Sequence, residues 1–181
     1  MDTKIKVADI PDTGWEFFYS LTPAEAVVRL GDVQGNRLRF ATPLRAKFKL
    51  ERTGNRVLVR GLVTTTLYLA CSLCLEEFDA QLSEEVFSAF TASPEEYRDG
   101  EVAAEDLIEE YYEGEELDLW PLIQEHLFLG MPIKPLCHED CQGLCPVCGQ
   151  NLNKTPCECS SSVGHPGFVK LKQLRNSLPK K

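Results

Sequence analysis

No apolar run in this chain approaches the ~18 residues needed to cross a bilayer. Its opening stretch, "MDTKIKVADIPDTGW", has neither an apolar core nor the small-residue cleavage site of a secretory signal. Those absences point to the cytoplasm. Histidine is scarce as well, with 3 in 181 residues, and neither His-x-Glu nor His-Glu-x-x-His occurs. A catalytic zinc site needs an open coordination position beside a general acid or base, so a zinc hydrolase or deaminase is missing its parts. Positive charge is nearly absent over one segment, because Glu95 to Asp118 holds 12 acidic residues against Arg98 alone. That segment sums to −11 in a chain of net −9, so the remainder carries about +2. It reads as a solvated, partly mobile loop, and in functional terms as a docking strip for a basic partner.

Apolar residues are not lacking. At 43% hydrophobic content in 181 residues, the chain can bury the core of an ordinary domain without covalent help. The 8 cysteines therefore answer to something other than bare stability. In a reducing compartment an even set of thiols argues for metal ligation or catalysis before disulfides. Free buried thiols or oxidised pairs are the plain alternative, and metal content distinguishes the two.

Patterning gives an α+β fold, mainly antiparallel sheet with a few short helices and a cysteine-rich, zinc-binding C-terminal region. "KIKVA" and "WEFFYS" read as short strands. "TPAEAVVRL" opens with Thr22 as N-cap, Pro23 at N1 and Glu25 at N3, a capping box that starts one short helix. "NRLRFATPLRAKFKLER" and "RVLVRGLVTTTLYLA" are rich in β-branched and aromatic residues, and the turn Thr53-Gly54-Asn55 joins them into an antiparallel pair. "EFDAQLSEEVFSAFTA" follows after only "CSLCLE", which places the first cysteine pair at a hairpin tip. "LDLWPLIQEHLFLGMP" is a helix begun near Asp118 and stopped by Gly130 and Pro132. Leu119, Leu122, Ile123, Leu127 and Phe128 are its sheet-facing residues, and His126 is a boundary residue rather than a ligand. From Pro135 to Gly164 hydrophobic periodicity disappears, so that stretch needs another organiser. The expected division is residues 1–134 as the sheet domain with its acidic segment 95–118, 135–164 as a zinc-stabilised module, and 165–181 as a basic helical tail carrying Lys170, Lys172, Arg175, Lys180 and Lys181.

The cysteines fall into four close pairs, Cys71/Cys74, Cys137/Cys141, Cys145/Cys148 and Cys157/Cys159. A tight turn presents two sulfurs to one ion, and Zn²⁺ takes four thiolates in a tetrahedron, so four pairs imply two ions. In "CPVCG", Pro146 pre-sets φ and Gly149 can take the positive φ that aims backbone N–H groups at sulfur. "CSLCLE" has no such glycine. The eight residues "GQNLNKTP" allow Cys145/Cys148 to close onto Cys157/Cys159, whereas only Gln142-Gly143-Leu144 separate Cys141 from Cys145. One site is thus expected from Cys145, Cys148, Cys157 and Cys159, and by remainder the other from Cys71, Cys74, Cys137 and Cys141. His138 is the alternative to one thiolate in the latter.

"CSLCLEEF", then an acidic stretch, "LDLWPLIQEHLFLGMPIKPLC" and "CQGLCPVCGQNLN" with a final Cys-x-Cys, resembles the YceD-like family, known as large ribosomal RNA subunit accumulation proteins. The resemblance runs from about Leu58 to Leu174, in order along the chain. It departs from the family at His165-Pro166-Gly167-Phe168, where members often carry Asp-Pro-Arg-Phe, so an N-capping aspartate is absent before the tail. The resemblance implies a non-catalytic factor in large ribosomal subunit biogenesis and a partner within that subunit. Electrostatics favours a basic ribosomal protein or assembly factor over broad contact with RNA, although direct rRNA contact remains an alternative. Two other classes compete. A thiol-disulfide oxidoreductase using Cys-x-x-Cys wants its first cysteine at a helix N-terminus, and Cys71 lies between strands. A zinc-ribbon nucleic-acid-binding protein would rely on the cysteine module and the basic tail.

Overall fold

The computed structural model describes residues 2–31, 38–54, 56–92 and 109–159. Residues 95–108 of the acidic segment and the basic tail at 165–181 lie outside them. Strands β1 (Lys4–Lys6), β2 (Trp15–Leu21), β3 (Leu44–Thr53), β4 (Arg56–Ala70), β5 (Glu77–Ala92), β6 (Glu109–Tyr112) and β7 (Glu116–Asp118) are joined by helices α1 (Pro23–Leu30) and α2 (Trp120–Leu129). The main sheet has the order β2-β3-β4-β5-β6 and is antiparallel except for the parallel β5–β6 pair, while β1 and β7 form a separate antiparallel ribbon. This is the α+β, largely antiparallel architecture that the patterning indicates. No helix among the described residues is long and apolar enough to cross a membrane.

The sheet is built one-sided. Alternation along β2 to β5 sends Phe17, Tyr19, Phe48, Leu50, Val59, Val63, Leu82 and Phe90 to one face, where all are buried. Leu122, Ile123 and Leu127 of α2 pack on that face, together with Ile5, Ile10 and Leu117. Phe128 is only half-buried, so four of the five helix residues expected to face the sheet are in the core. α1 starts as its sequence dictates: Thr22 accepts from the Glu25 backbone N–H, and the Glu25 carboxylate accepts from the Thr22 N–H at 2.8 Å. The opposite face of the sheet is solvent-exposed.

The acidic segment departs from the loop reading over its second half. Glu109–Tyr112 extends the sheet and Glu116–Asp118 pairs with β1, because Tyr112 and Leu117 bring apolar side chains that the core takes in at 9% and 2% exposure. In the sequence, charged neighbours hide that signal. A polar junction then ties the N-terminus, α1 and β7 together. Arg29 donates to Tyr19 at 2.5 Å and to Thr3 at 2.8 Å, Thr3 donates to Asp118 at 2.7 Å, and the guanidinium lies 4.3 Å from the Trp120 ring centroid. Thr3 is fully buried with both partners in place, and no buried side-chain polar atom among the described residues lacks one.

Gly61, opposite Phe48 in the β3–β4 register, shows why a strand interior tolerates glycine here. A Cβ at that position would come 2.0 Å from the Lys47 carbonyl oxygen and 2.8 Å from the Phe48 Cα. Gly61→Ala must push β3 from β4, and we expect it to cost about 2 to 3 kcal/mol, read as a lower urea midpoint with both cysteine sites intact.

Candidate metal centres

The β4–β5 pairing runs from Arg56↔Thr91 to Ala70↔Glu77, so the six residues 71–76 close a long, fixed hairpin. At its tip the Cys71 N–H donates to the Glu76 carbonyl at 2.8 Å, and the Leu75 N–H donates to the Cys71 carbonyl at 2.9 Å. The second Cys-x-x-Cys repeats this turn: the Cys145 N–H donates to Gln150 O at 2.8 Å and the Gly149 N–H to Cys145 O at 2.9 Å. Gly149 takes φ +73° as its identity allows, and Leu75 takes φ +61° at the equivalent position. The glycine missing from "CSLCLE" is thus replaced by a leucine held in the left-handed region. Two sequences of different composition make one geometry.

The other two pairs are delivered from the segment after α2. The Ser72 N–H donates to Pro135 O at 2.8 Å, laying residues 135–141 against the hairpin tip. Cys71 and Cys141 Sγ atoms then lie 3.7 Å apart, as do those of Cys74 and Cys137, too far for disulfide bonds. A tetrahedron of sulfurs about 2.3 Å from a central ion has edges of about 3.8 Å. All four sulfurs lie within 4.8 Å of one another, and so do those of Cys145, Cys148, Cys157 and Cys159. Both groups of four expected from loop lengths are brought together, and each could hold a metal ion. His138 is exposed and belongs to neither group, and the half-buried His126 donates from Nδ1 to the Leu122 carbonyl at 3.0 Å.

Electrostatics within each group shows what the thiols require. The Cys74 backbone N–H aimed at its sulfur holds the Cys71 thiol down to about 6, and the Cys148 and Val147 N–H groups do the same for Cys145, also about 6. Burial, reinforced by sharing a proton with Cys141, pushes Cys137 up to about 12, and hydrogen bonding to Cys148 followed by burial does so for Cys159. One sulfur in each group ionises readily and another resists, and two thiolates about 4 Å apart would in addition repel by about 4 kcal/mol at an effective dielectric of 20. A cation at the centre removes that conflict.

The two groups are not independent. The Leu144 N–H donates to Leu73 O at 3.1 Å, and a Cβ on Gly143, at φ +73°, would lie 3.0 Å from that oxygen. Leu144 bridges Asn151, and the Asn153 side chain accepts from the Gln142 N–H at 2.8 Å while its Nδ2 donates to Cys141 Sγ at 3.3 Å. Lys154 and Asn151 both bind Glu76 of the hairpin tip, at 2.5 and 3.3 Å. "GQNLNKTP" therefore does more than reverse the chain. It supplies an N–H donor to a sulfur of the neighbouring group, which a reading of turn propensity alone does not find.

A one-sided antiparallel sheet whose hairpin tip carries one of two hydrogen-bonded groups of four cysteines defines a class of scaffold with two thiol-only candidate metal sites. The sequence places the chain within it: residues 59–175 match the family described as large ribosomal RNA subunit accumulation protein YceD, and the chain belongs to that family. It is 27% identical over 167 residues to the chloroplastic large ribosomal RNA subunit accumulation protein YCED homolog 1 of Arabidopsis thaliana, covering 77% of this chain and 51% of that one. An uncharacterised protein of Mycobacterium tuberculosis is 32% identical over 108 residues, 60% of this chain and 51% of that protein. Another from Mycobacterium leprae is 28% identical over 130 residues, 71% of this chain and 55% of that protein. The chain spans about half the length of these curated relatives. No solved structure matches it.

Two substitutions test the site geometry. Leu75 is 68% exposed, so Leu75→Gly forfeits little packing and relieves the left-handed backbone. We expect a gain of about 0.5 to 1 kcal/mol in urea unfolding, whereas Leu75→Ile should lose about as much. Asn153→Ala should speed chelator extraction of metal from the Cys71/Cys74/Cys137/Cys141 site roughly ten-fold, followed as biphasic release, although Asn153 lies in the other site's ligand loop.

Proposed function

We propose that the protein is a non-catalytic factor in large ribosomal subunit biogenesis, with two structural zinc ions holding its C-terminal module on the sheet. The observation that carries the reading is the pair of closed cysteine tetrads in a chain of the YceD family. Four thiolates satisfy Zn²⁺ completely and leave no position for an activated water, which favours scaffold over hydrolysis. The N–H groups aimed at Cys71 and Cys145 favour thiolate, the form a metal ligand must take. A redox role is disfavoured because the two readily ionised thiols are shielded, Cys71 fully buried and Cys145 5% exposed, and the exposed thiol is Cys148 instead.

The name of the Arabidopsis relative supports a role in accumulation of large-subunit rRNA. The surface supports interaction rather than turnover. Glu113, Glu115 and Glu116 are exposed at the β6–β7 turn, an acidic edge suited to steering a basic protein of that subunit.

Metal analysis tests the scaffold and complementation tests the role. Protein purified without chelator should carry close to two zinc ions and no iron, and zinc should leave as pH falls, since protons compete for the same sulfurs. Cys148→Ser should lose one ion and Cys74→Ser should weaken both, given the hydrogen bonds between the modules. A strain lacking the protein should under-accumulate large-subunit rRNA and recover with the unaltered chain. Full recovery with a variant that binds no zinc would overturn the scaffold reading.

A further inference from the structure

The exposed face of the sheet carries a pattern that neither the metal sites nor the core explains. Three adjacent cross-strand rows, fixed by the register, read Ser20-Arg45-Thr64-Ser83, Phe18-Lys47-Leu62-Glu85 and Glu16-Lys49-Arg60-Phe87. Four bases and two acids give these twelve positions +2 in a chain of net −9, so the overall charge hides a locally basic surface. Phe18 is 53% exposed and Phe87 63%, although burying a phenylalanine stabilises by about 1.5 to 3 kcal/mol. Neither is needed by the core, which lies on the other side. Lys47 Nζ sits 5.1 Å from the Phe18 centroid and Arg60 Cζ 5.1 Å from that of Phe87. Each exposed ring thus has a cation beside it, and the two rings stand three strands apart across the sheet and one row apart along it, roughly 16 Å.

We propose that this face binds single-stranded RNA, with Phe18 and Phe87 as stacking platforms for unpaired bases and Arg45, Lys47, Lys49 and Arg60 as contacts to the phosphates between and beside them. Charge complementarity and stacking act together in this arrangement. A phosphodiester chain needs spaced cations, and its bases need flat apolar surfaces that any base can occupy. An acidic protein would satisfy the cations but leave both rings without a matching partner. Cavities of about 440 and 380 Å³ lie side by side on the same face, the first bounded by Phe18, Lys47 and Leu62 and the second by Arg45, Thr64 and Ser83. They give a strand relief to follow beside the Phe18 platform. That the RNA is a segment of large-subunit rRNA rests on the role proposed above; affinity for an unpaired strand does not.

The test uses the full-length, metal-loaded protein and a fluorescein-labelled, mixed-sequence single-stranded RNA of about 12 nucleotides, followed by anisotropy over a salt series. Binding should weaken steeply with salt. Replacing Arg45, Lys47, Lys49 and Arg60 by Gln should flatten the logarithmic salt slope by about 0.7 for each phosphate left without its cation. Phe18→Ala and Phe87→Ala should each weaken binding roughly 5- to 100-fold while leaving the salt slope unchanged. Ultraviolet cross-linking of the unaltered protein provides a readout independent of variant folding, and cross-linked peptides should come from β2 and β5. Absence of binding by the unaltered protein, or affinity insensitive to all six residues, or cross-links confined to residues outside the sheet, overturns the proposal. Equal affinity for a polyglutamate peptide, abolished with the same bases but not with the phenylalanines, overturns it in favour of an acidic protein. Complementation reads the assembly role separately, so failure of one is distinguishable from failure of the other.

Discussion

The turn at the tip of the β4–β5 hairpin is the constraint on which the segment from Pro135 to Cys159 depends. From Pro135 to Cys159 the chain has no apolar face of its own, and Cys141 and Cys145 are its only buried side chains. Such a segment can be placed only by attachment. Cys71 and Cys74 supply the attachment because fifteen paired positions hold β4 against β5 and leave the tip little freedom. The Ser72–Pro135, Leu144–Leu73 and Glu76–Lys154 contacts radiate from those same six residues. A hairpin this regular is a stiff arm, and the cysteines are at its end.

The one-sided sheet has a second consequence. Packing α2, the β1–β7 ribbon and α1 on one face satisfies the core and leaves the other face to carry whatever chemistry solvent contact permits. Charge is segregated to match. Acids gather at the β6–β7 edge while Arg45, Lys47, Lys49 and Arg60 cross the open face, so a net charge of −9 describes neither surface. Repulsion set by net charge is largely screened beyond about 10 Å in ordinary salt. At contact distance the local rows decide.

Much of this was legible in the sequence where a local rule had no competitor. The capping box at Thr22, the Thr53-Gly54 turn, the strand from Glu77 and the helix stopped at Gly130 follow from periodicity and punctuation, and each has its predicted place. The grouping of cysteines by loop length follows from chain reach alone. What escapes such rules depends on partners remote in sequence. β6 and β7 are strands because Tyr112 and Leu117 find a core built by other segments, and their flanking glutamates mask this in any window. The turn at Leu75 has no local signature, since leucine is disfavoured at positive φ and accepts it only under tertiary compulsion. Asn153 reads as a turn former until Cys141 is placed beside it. The basic face is visible only after register aligns four strands, because along any single strand it is ordinary alternation.

The two cysteine groups also differ in what closing each around an ion would do. The hairpin site joins residues 63 and 70 positions apart, whereas its neighbour is closed by the eight residues between Cys148 and Cys157. Loop-closure entropy grows only as 1.5RT times the logarithm of length, so the longer loop separates the two by about 1.5 to 2 kcal/mol. That is a small margin against a structural zinc affinity of about 10 kcal/mol or more. Stability alone therefore gives little reason to build the long-range site, since a second short-loop ribbon would hold its own residues nearly as well. Its distinctive effect would be positional: it would fix the cysteine module at the end of the hairpin whose strands carry Arg60 and Phe87 of the exposed face. A rigid spacing between that face and the module is what the long-range group adds to the hydrogen bonds from the hairpin tip, and the Asn153–Cys141 bond extends it from one cysteine group to the next.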